Sequence, residues 1–366
     1  MTPALNSQSS DVLHEVDISN VNFFLPDEST VSSIKNAGAI RYASSDEFKD
    51  AKEDEEVEGG DVFSVTKEEL SIIRAELASE FPEDYNYLSD GYILSVASKP
   101  YSKDPTLRRP LEYSQQKLND VMKWRESEGA VDIPDLVALA NIAETSAQAV
   151  ESPDRLVSAR ALATSLNTGS IYFHGMTKEG KPVMWIRTNR KPWFPDVDAD
   201  VNALILLSDV GIRCMPQGIT DFVVIADSSS PPPPNPSFMI KMLKALVKGY
   251  PDRLALLCSA PVSSIVQFVM NLLLPLMPGR LASKVVLLDI ESMKTKLTDL
   301  MENGADDIPN FFGGTCDHDA LYPDEGKSPN RGQGSLKFDY FGMVERLEEA
   351  KADWEAKHGM AANSRF

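Results

Sequence analysis

Between Leu166 and Ile290 the chain alternates two kinds of apolar segment, and that alternation admits few folds. Three short runs are apolar on both sides: TDFVVIAD (220–227), RLALLCSA (253–260) and KVVLLDI (284–290). Longer stretches with helical spacing lie around them: DVNALILLSDVGIRCM (200–215), SFMIKMLKALVKGY (237–250) and SSIVQFVMNLLLPLM (263–277). A strand without a polar face is buried on both sides, as in the middle of a helix-covered sheet. Strand and helix in alternation give parallel crossovers. A hairpin, Ile171–His174 and Val183–Arg187 about a Lys178-Glu179-Gly180 turn, opens the series. The expectation is an α/β fold with a mixed, mainly parallel sheet covered by helices.

A helical block precedes it. TKEELSIIRAEL starts on a capping box, Thr66 with Glu69, and spaces Leu70, Ile73 and Leu77 along one face. LEYSQQKLNDVMKWRESEG repeats the pattern with Leu111, Leu118, Met122 and Trp124, and Gly129 stands at its expected end. A third amphipathic piece, IPDLVALANIAETSAQAV, leads to Pro153 and reads as a connector. Residues 1–60 differ in kind, with 13 acidic against 4 basic side chains and an acidic run closed by Gly59-Gly60. Such a segment buries too little to offset its ordering entropy, so a disordered tail is expected there. The division is therefore an acidic tail (1–60), a helical domain (61–152), the α/β domain (153–318) and a C-terminal extension (319–366). The extension carries LEEAKADWEAKHG, whose Glu-to-Lys spacing suits a solvated polar helix.

The segment after Pro261 has more apolar surface than one sheet face can cover. Val262, Ile265, Val266, Phe268, Val269, Leu272, Leu273 and Leu276 leave only Ser263, Ser264, Gln267 and Asn271 as its polar side. Either it is sandwiched between two layers, or it lids an apolar space and at times faces lipid.

The order of several short motifs resembles the CRAL-TRIO family, the group that includes the fungal phosphatidylinositol/phosphatidylcholine transfer proteins. The motifs are KWRESEG (123–129), the KGYPDR corner before a strand, SAP stepping into the apolar helix, Ser283-Lys284 opening the next strand, and IPNFFGGTC (308–316). The resemblance spans Thr66 to Cys316. It implies a sheet flooring a hydrophobic lipid pocket, with Val262–Leu276 as a mobile gate helix, and a carrier that binds a phospholipid and exchanges it at membrane surfaces without catalysis. It also implies a head-group site. Asp252 stands where the family has a glutamate, and Lys284 stands at the family's lysine. The family's two strand hydroxyls fall on Phe222 and Val224, which have none, and Thr220 is the nearby hydroxyl. That departure leaves open a neutral lipophile, such as a sterol, retinoid, tocopherol or isoprenoid. A scaffold that transfers nothing, acting through the acidic tail or the Pro231–Pro234 run, is a further reading.

Other chemistry finds little support. A formal charge of -19 repels phosphate backbones, so no nucleic-acid partner is expected. Cys214, Cys258 and Cys316 form no CxxC pair, which suits a reducing cytoplasm. The first residues lack a signal-peptide pattern, and the stretch 265–278 is too short to cross a bilayer. His14, His174, His318 and His358 accompany no hydrolase signature, and no nucleotide-binding glycine motif occurs. CDHD (316–319) sets ligand types in a row. Neighbours in one loop need a distant partner to enclose an ion, however, and the sequence shows none, so neither metal nor other cofactor is expected.

Overall fold

The computed structural model describes residues 63–359 apart from 64, 83, 85–87, 102–103, 143–152, 217, 278 and 326–333. The acidic segment 1–60 and any partner it takes lie outside the described residues.

Helices α1 (Lys67–Glu80), α2 (Asp90–Ala97) and α3 (Leu111–Ser127) come first, with strands β1 (Pro100–Tyr101) and β2 (Asp104–Arg108) paired between α2 and α3. The capping box fixes the start of α1: the Thr66 hydroxyl accepts from Glu69 N–H at 3.2 Å, and the Glu69 carboxylate accepts from Thr66 N–H at 2.9 Å. Ile73 and Leu77 then meet Ile93, Val96, Leu118 and Met122 in a small core drawn mainly from these three helices.

Helices α4 (Ile133–Ile142) and α5 (Pro153–Asn167) belong by packing to the second core. Pro153 begins α5 instead of closing a connector. A proline's missing N–H costs nothing in a helix's first turn.

Five strands follow, side by side in chain order: β3 (Ile171–Met176), β4 (Pro182–Arg187), β5 (Phe222–Asp227), β6 (Leu254–Ala260) and β7 (Val285–Leu287). β3 runs antiparallel to β4 and every other pairing is parallel, so the sheet is mixed and mainly parallel. Helices α6 (Val197–Arg213), α7 (Pro236–Lys244), α8 (Ser264–Leu273) and α9 (Gly279–Ala282) lie between strands. After β7 come α10 (Ile290–Leu300), α11 (His318–Leu321) and α12 (Tyr340–Lys357).

Register assigns the two faces of the sheet. Phe173, Met184, Val224 and Leu257 are aligned on one; Tyr172, Trp185, Ile225 and Cys258 are aligned on the other. The first face meets α6, where Gly211 admits the Phe173 ring: a Cβ there would lie 2.3 Å from Cζ. The second meets the segment after α10, with Phe312 and His318 against Trp185.

The C-terminal helix corrects an expectation. α12 buries Met343, Leu347 and Trp354 in the larger core, and Trp354 Nε1 donates to the Lys178 carbonyl at 3.2 Å across the β3–β4 turn. These residues fall on one side of an α-helix, and the charged residues that suggested a solvated helix cover the opposite side.

Candidate functional site

The KGYPDR corner is a joint between the helical block and the sheet. A π-helical turn, Ala245–Gly249, brings Gly249 against Trp124 of α3, where a Cβ would lie 2.2 Å from the ring. Arg125 of α3 forks onto Asp209 of α6 at 2.6 and 3.0 Å. Arg253, 1% exposed, donates to the carbonyls of Thr220 and Tyr92, each at 3.0 Å. Asp252 has φ +60°, a left-handed conformation that aspartate tolerates better than most residues.

Asp252, the expected head-group carboxylate, has two protein partners. It accepts from Arg109 at 2.6 Å and from Lys117 at 3.2 Å. Burial works to raise its pKa, but the charges and hydrogen bonds of Lys117 and Arg109 prevail and hold the carboxyl well below the usual range. Lys284 Nζ donates to the Leu254 carbonyl at 2.7 Å, which leaves two of its three donor protons for other partners. Near it lies Lys99, which sequence reasoning missed. Its Nζ donates to the Thr220 hydroxyl at 2.6 Å, and burial, the largest influence, pulls the amine down to about 8. The charges of Asp221, Arg253, Asp252 and Lys284 all act on it as well, so these side chains share one region at the start of β5, β6 and β7.

Phe222 and Val224 are buried within β5, and Phe222 packs edge-on to Phe173 at 5.9 Å. The two positions that lack hydroxyls are thus part of an apolar surface on the α6 side of the sheet.

The apolar segment after Pro261 folds as α8, capped by Ser263, which accepts from Val266 N–H at 3.3 Å, and continues as a 3-10 turn, Leu274–Leu276. Val266 and Leu273 are buried. Val262, Ile265, Phe268 and Val269 are half-buried, Leu272 is 44% exposed, and the Leu276 side chain lies outside the described residues. Val266 and Leu273 join neither of the two cores. Both polar atoms of the Asn271 amide are buried without a hydrogen-bond partner.

A cleft of about 540 Å³ lies between α3 and the Lys244–Pro251 segment, lined by Lys117, Lys123, Trp124, Lys244, Lys248 and Pro251 among others. Its walls include neither Phe222, Val224 nor any residue of α8. It is therefore distinct from the expected pocket. The proline run Pro231–Pro234 is a loop that delivers Asn235 to the start of α7, where its side chain accepts from Phe238 N–H at 3.1 Å.

A second cluster forms on the opposite sheet face. His174, Cys316 and His318 each place a ligand atom within 4.8 Å of the others. His174 is the distant partner that CDHD was expected to lack. Burial pulls the His174 imidazole down to about 4; burial and the neighbouring His174 pull His318 down to about 2, so both rings are neutral near pH 7. Burial, with Asp307 nearby, pushes the Cys316 thiol up.

Residues 166–314 match the family model of the CRAL/TRIO domain. The match begins in the last turn of α5, takes in the whole five-stranded sheet and α8, and ends two residues before Cys316. Among solved structures, the chain is similar to one titled "Crystal structure of Sfh5", at 14% identity and a TM-score of 0.41, covering 62% of this chain and 82% of that one. No curated protein matches the chain. No helix among the described residues is long and apolar enough to cross a membrane.

Proposed function

We propose that the CRAL/TRIO domain carries a single amphiphilic lipid, exchanges it at a membrane surface through movement of α8, and performs no covalent chemistry on it. The observation that carries this reading is α8 itself. Its side chains are two-thirds apolar or more, yet only Val266 and Leu273 are fully buried, and the Asn271 amide turns inward with nothing to bond. A helix in this condition gains contacts from a ligand on one side and from lipid when it swings out. These are the differential contacts that a two-state gate requires. Transferring acyl chains from a bilayer demands a site about as apolar as the bilayer, at roughly 0.8 kcal/mol per CH2. The half-buried Leu257 of β6, aligned with Val224 on one face of the sheet, belongs to such a surface.

For the polar end, the free donors of Lys284, with Lys99 close by, suit a phosphate as point charges. On this reading the lipid is a phospholipid recognised without strand hydroxyls. A second reading, a neutral lipophile, is favoured by Phe222, Val224 and the engagement of Asp252 with Arg109. Lipid mass spectrometry of protein purified under mild conditions separates them. A stoichiometric phospholipid supports the first and a neutral isoprenoid or sterol the second. Intact protein that carries no lipid, and moves none between vesicles, refutes both.

A further inference from the structure

We propose that His174, Cys316 and His318 form a binding site for one zinc ion, or a transition-metal ion of similar softness, that ties β3 to the segment beyond the CRAL/TRIO match. The proposal is independent of the lipid reading: the strand register puts Tyr172 and its neighbours on the sheet face opposite Phe222 and Val224.

The site is assembled from two remote pieces of chain. From β3, both Tyr172 and His174 reach the His318 ring, with ring centroids 5.6 and 4.5 Å away. The loop after α10 then doubles back. Gly313 takes φ +84°, and at Gly314 a Cβ would lie 1.9 Å from the Ile308 carbonyl oxygen, so only glycine passes. Cys316 N–H donates to Ile308 O at 3.1 Å and Asn310 N–H to Cys316 O at 3.0 Å, which fixes the cysteine where its Sγ is 3.5 Å from His174 Nε2. Asp317 caps α11 by accepting from Asp319 and Ala320 N–H, and this start of the helix turns His318 inward to 0% exposure.

Two tyrosines hold the imidazoles by their far nitrogens. His318 Nδ1 meets the Tyr172 hydroxyl at 2.9 Å, and His174 Nδ1 meets the Tyr322 hydroxyl at 3.0 Å. The tyrosine rings stack at 4.2 Å. A ligating histidine is normally oriented by such a bond at its other nitrogen, which fixes the tautomer and aims the free lone pair at the metal. His174 Nε2 faces the thiol. His318 Nε2 is buried and has no partner in hydrogen-bonding geometry, although the Asp307 backbone lies close enough to raise the ring's proton affinity. A buried ring nitrogen without a well-aligned hydrogen bond, inside a cluster of ligand types, calls for an explanation, and a metal ion provides it.

The donor set fits the ion. Two imidazoles and one thiolate are borderline-soft ligands that suit zinc, with bonds of about 2.0–2.3 Å that place ligand atoms roughly 3.3–3.7 Å apart. The His174–Cys316 separation is already in that range. A limited approach by His318 completes the triangle. On binding, the thiol releases its proton to solvent as the sulfur–metal bond forms, and a fourth position remains for water. His174 and Cys316 are only partly buried, which gives an ion a way in.

The test uses the full chain, stripped with a chelator, titrated with Zn²⁺, desalted and assayed for retained metal. Co²⁺ serves as the optical probe. Retention of one Zn²⁺ per chain is expected, as is a thiolate-to-cobalt charge-transfer band that Cys316→Ser abolishes and Cys214→Ser leaves intact. Tyr322→Phe removes only the hydroxyl that orients His174, and should weaken Zn²⁺ on the order of ten-fold while circular dichroism shows an unchanged fold. Failure of the stripped protein to retain Zn²⁺, or a cobalt band that persists in folded Cys316→Ser, overturns the proposal.

Discussion

Asp252 and Arg109 are joined at 2.6 Å across the boundary between the helical block and the sheet, and the arginine is only 3% exposed in its side chain. The contact accounts for a charged corner beside an apolar strand: the corner holds the helical block while β6 runs into the core. Asp252→Asn retains a residue that accepts a left-handed backbone but removes the charge facing Arg109 and Lys117. The expected loss is about 1–3 kcal/mol of unfolding free energy, measured by chemical denaturation at pH 7. The acid dependence has a definite sign. The carboxyl pKa is depressed by folding, so its contribution is present above the unfolded value, about 4, and fades as pH falls through the lower folded value. Wild type and Asp252→Asn should differ most above pH 5 and converge in stronger acid. Equal stabilities at pH 7 would return Asp252 to the role of a head-group ligand.

Two substitutions two residues apart, on different sides of the helix, distinguish a gate from a core helix. Val266 is buried and Phe268 half-buried on α8. A carboxylate at Val266 has no paired charge and should cost several kcal/mol, lowering the melting temperature sharply. Phe268→Asp should leave the melting temperature close to wild type while lipid exchange between vesicles slows strongly. Equal destabilisation by both would make α8 an ordinary buried helix.

The fold was readable wherever a periodic pattern spanned enough residues. The apolar runs at 222–227, 254–260 and 285–287 became strands, and Thr66 with Glu69 marked a helix start with a specific hydrogen bond. α2 was missed because eight residues give barely two turns. In α12 the dense charge obscured Met343, Leu347 and Trp354. Site chemistry was harder to read because it depends on separations along the chain. His174 and Cys316 are 142 residues apart, as Asp252 and Arg109 are 143, and no local spacing relates such pairs. Lys99 gave no signal of its own, since its role follows from burial beside Thr220.

Asn271 offers a test of the space behind α8. Its amide is buried and unbonded in the protein alone. Asn271→Leu removes a desolvated polar group at similar volume, so lipid-free protein should gain about 1–3 kcal/mol in denaturant unfolding. Loading with lipid should fall at the same time if the amide meets a polar group of the ligand. Greater stability with undiminished loading would place Asn271 away from the lipid.

Lys284→Ala separates the two lipid readings. The lysine gives one proton to Leu254 O and lies near Lys99, so two cations face the same region at the start of the central strands. Removing one weakens a phosphate contact while leaving the apolar surface of Phe222 and Val224 intact. A charge-assisted hydrogen bond contributes about 1.5–3 kcal/mol, or roughly a ten-fold to hundred-fold change in affinity. Transfer of anionic phospholipid between vesicles should drop by about that factor, and binding of a neutral sterol or isoprenoid should not change. Because the lost bond to Leu254 O costs stability too, the melting temperature is read in parallel, and Lys284→Arg, which keeps the charge, should recover part of the phospholipid transfer. Unchanged transfer of every phospholipid by a folded Lys284→Ala protein would remove the phosphate site and leave the neutral lipophile as the ligand.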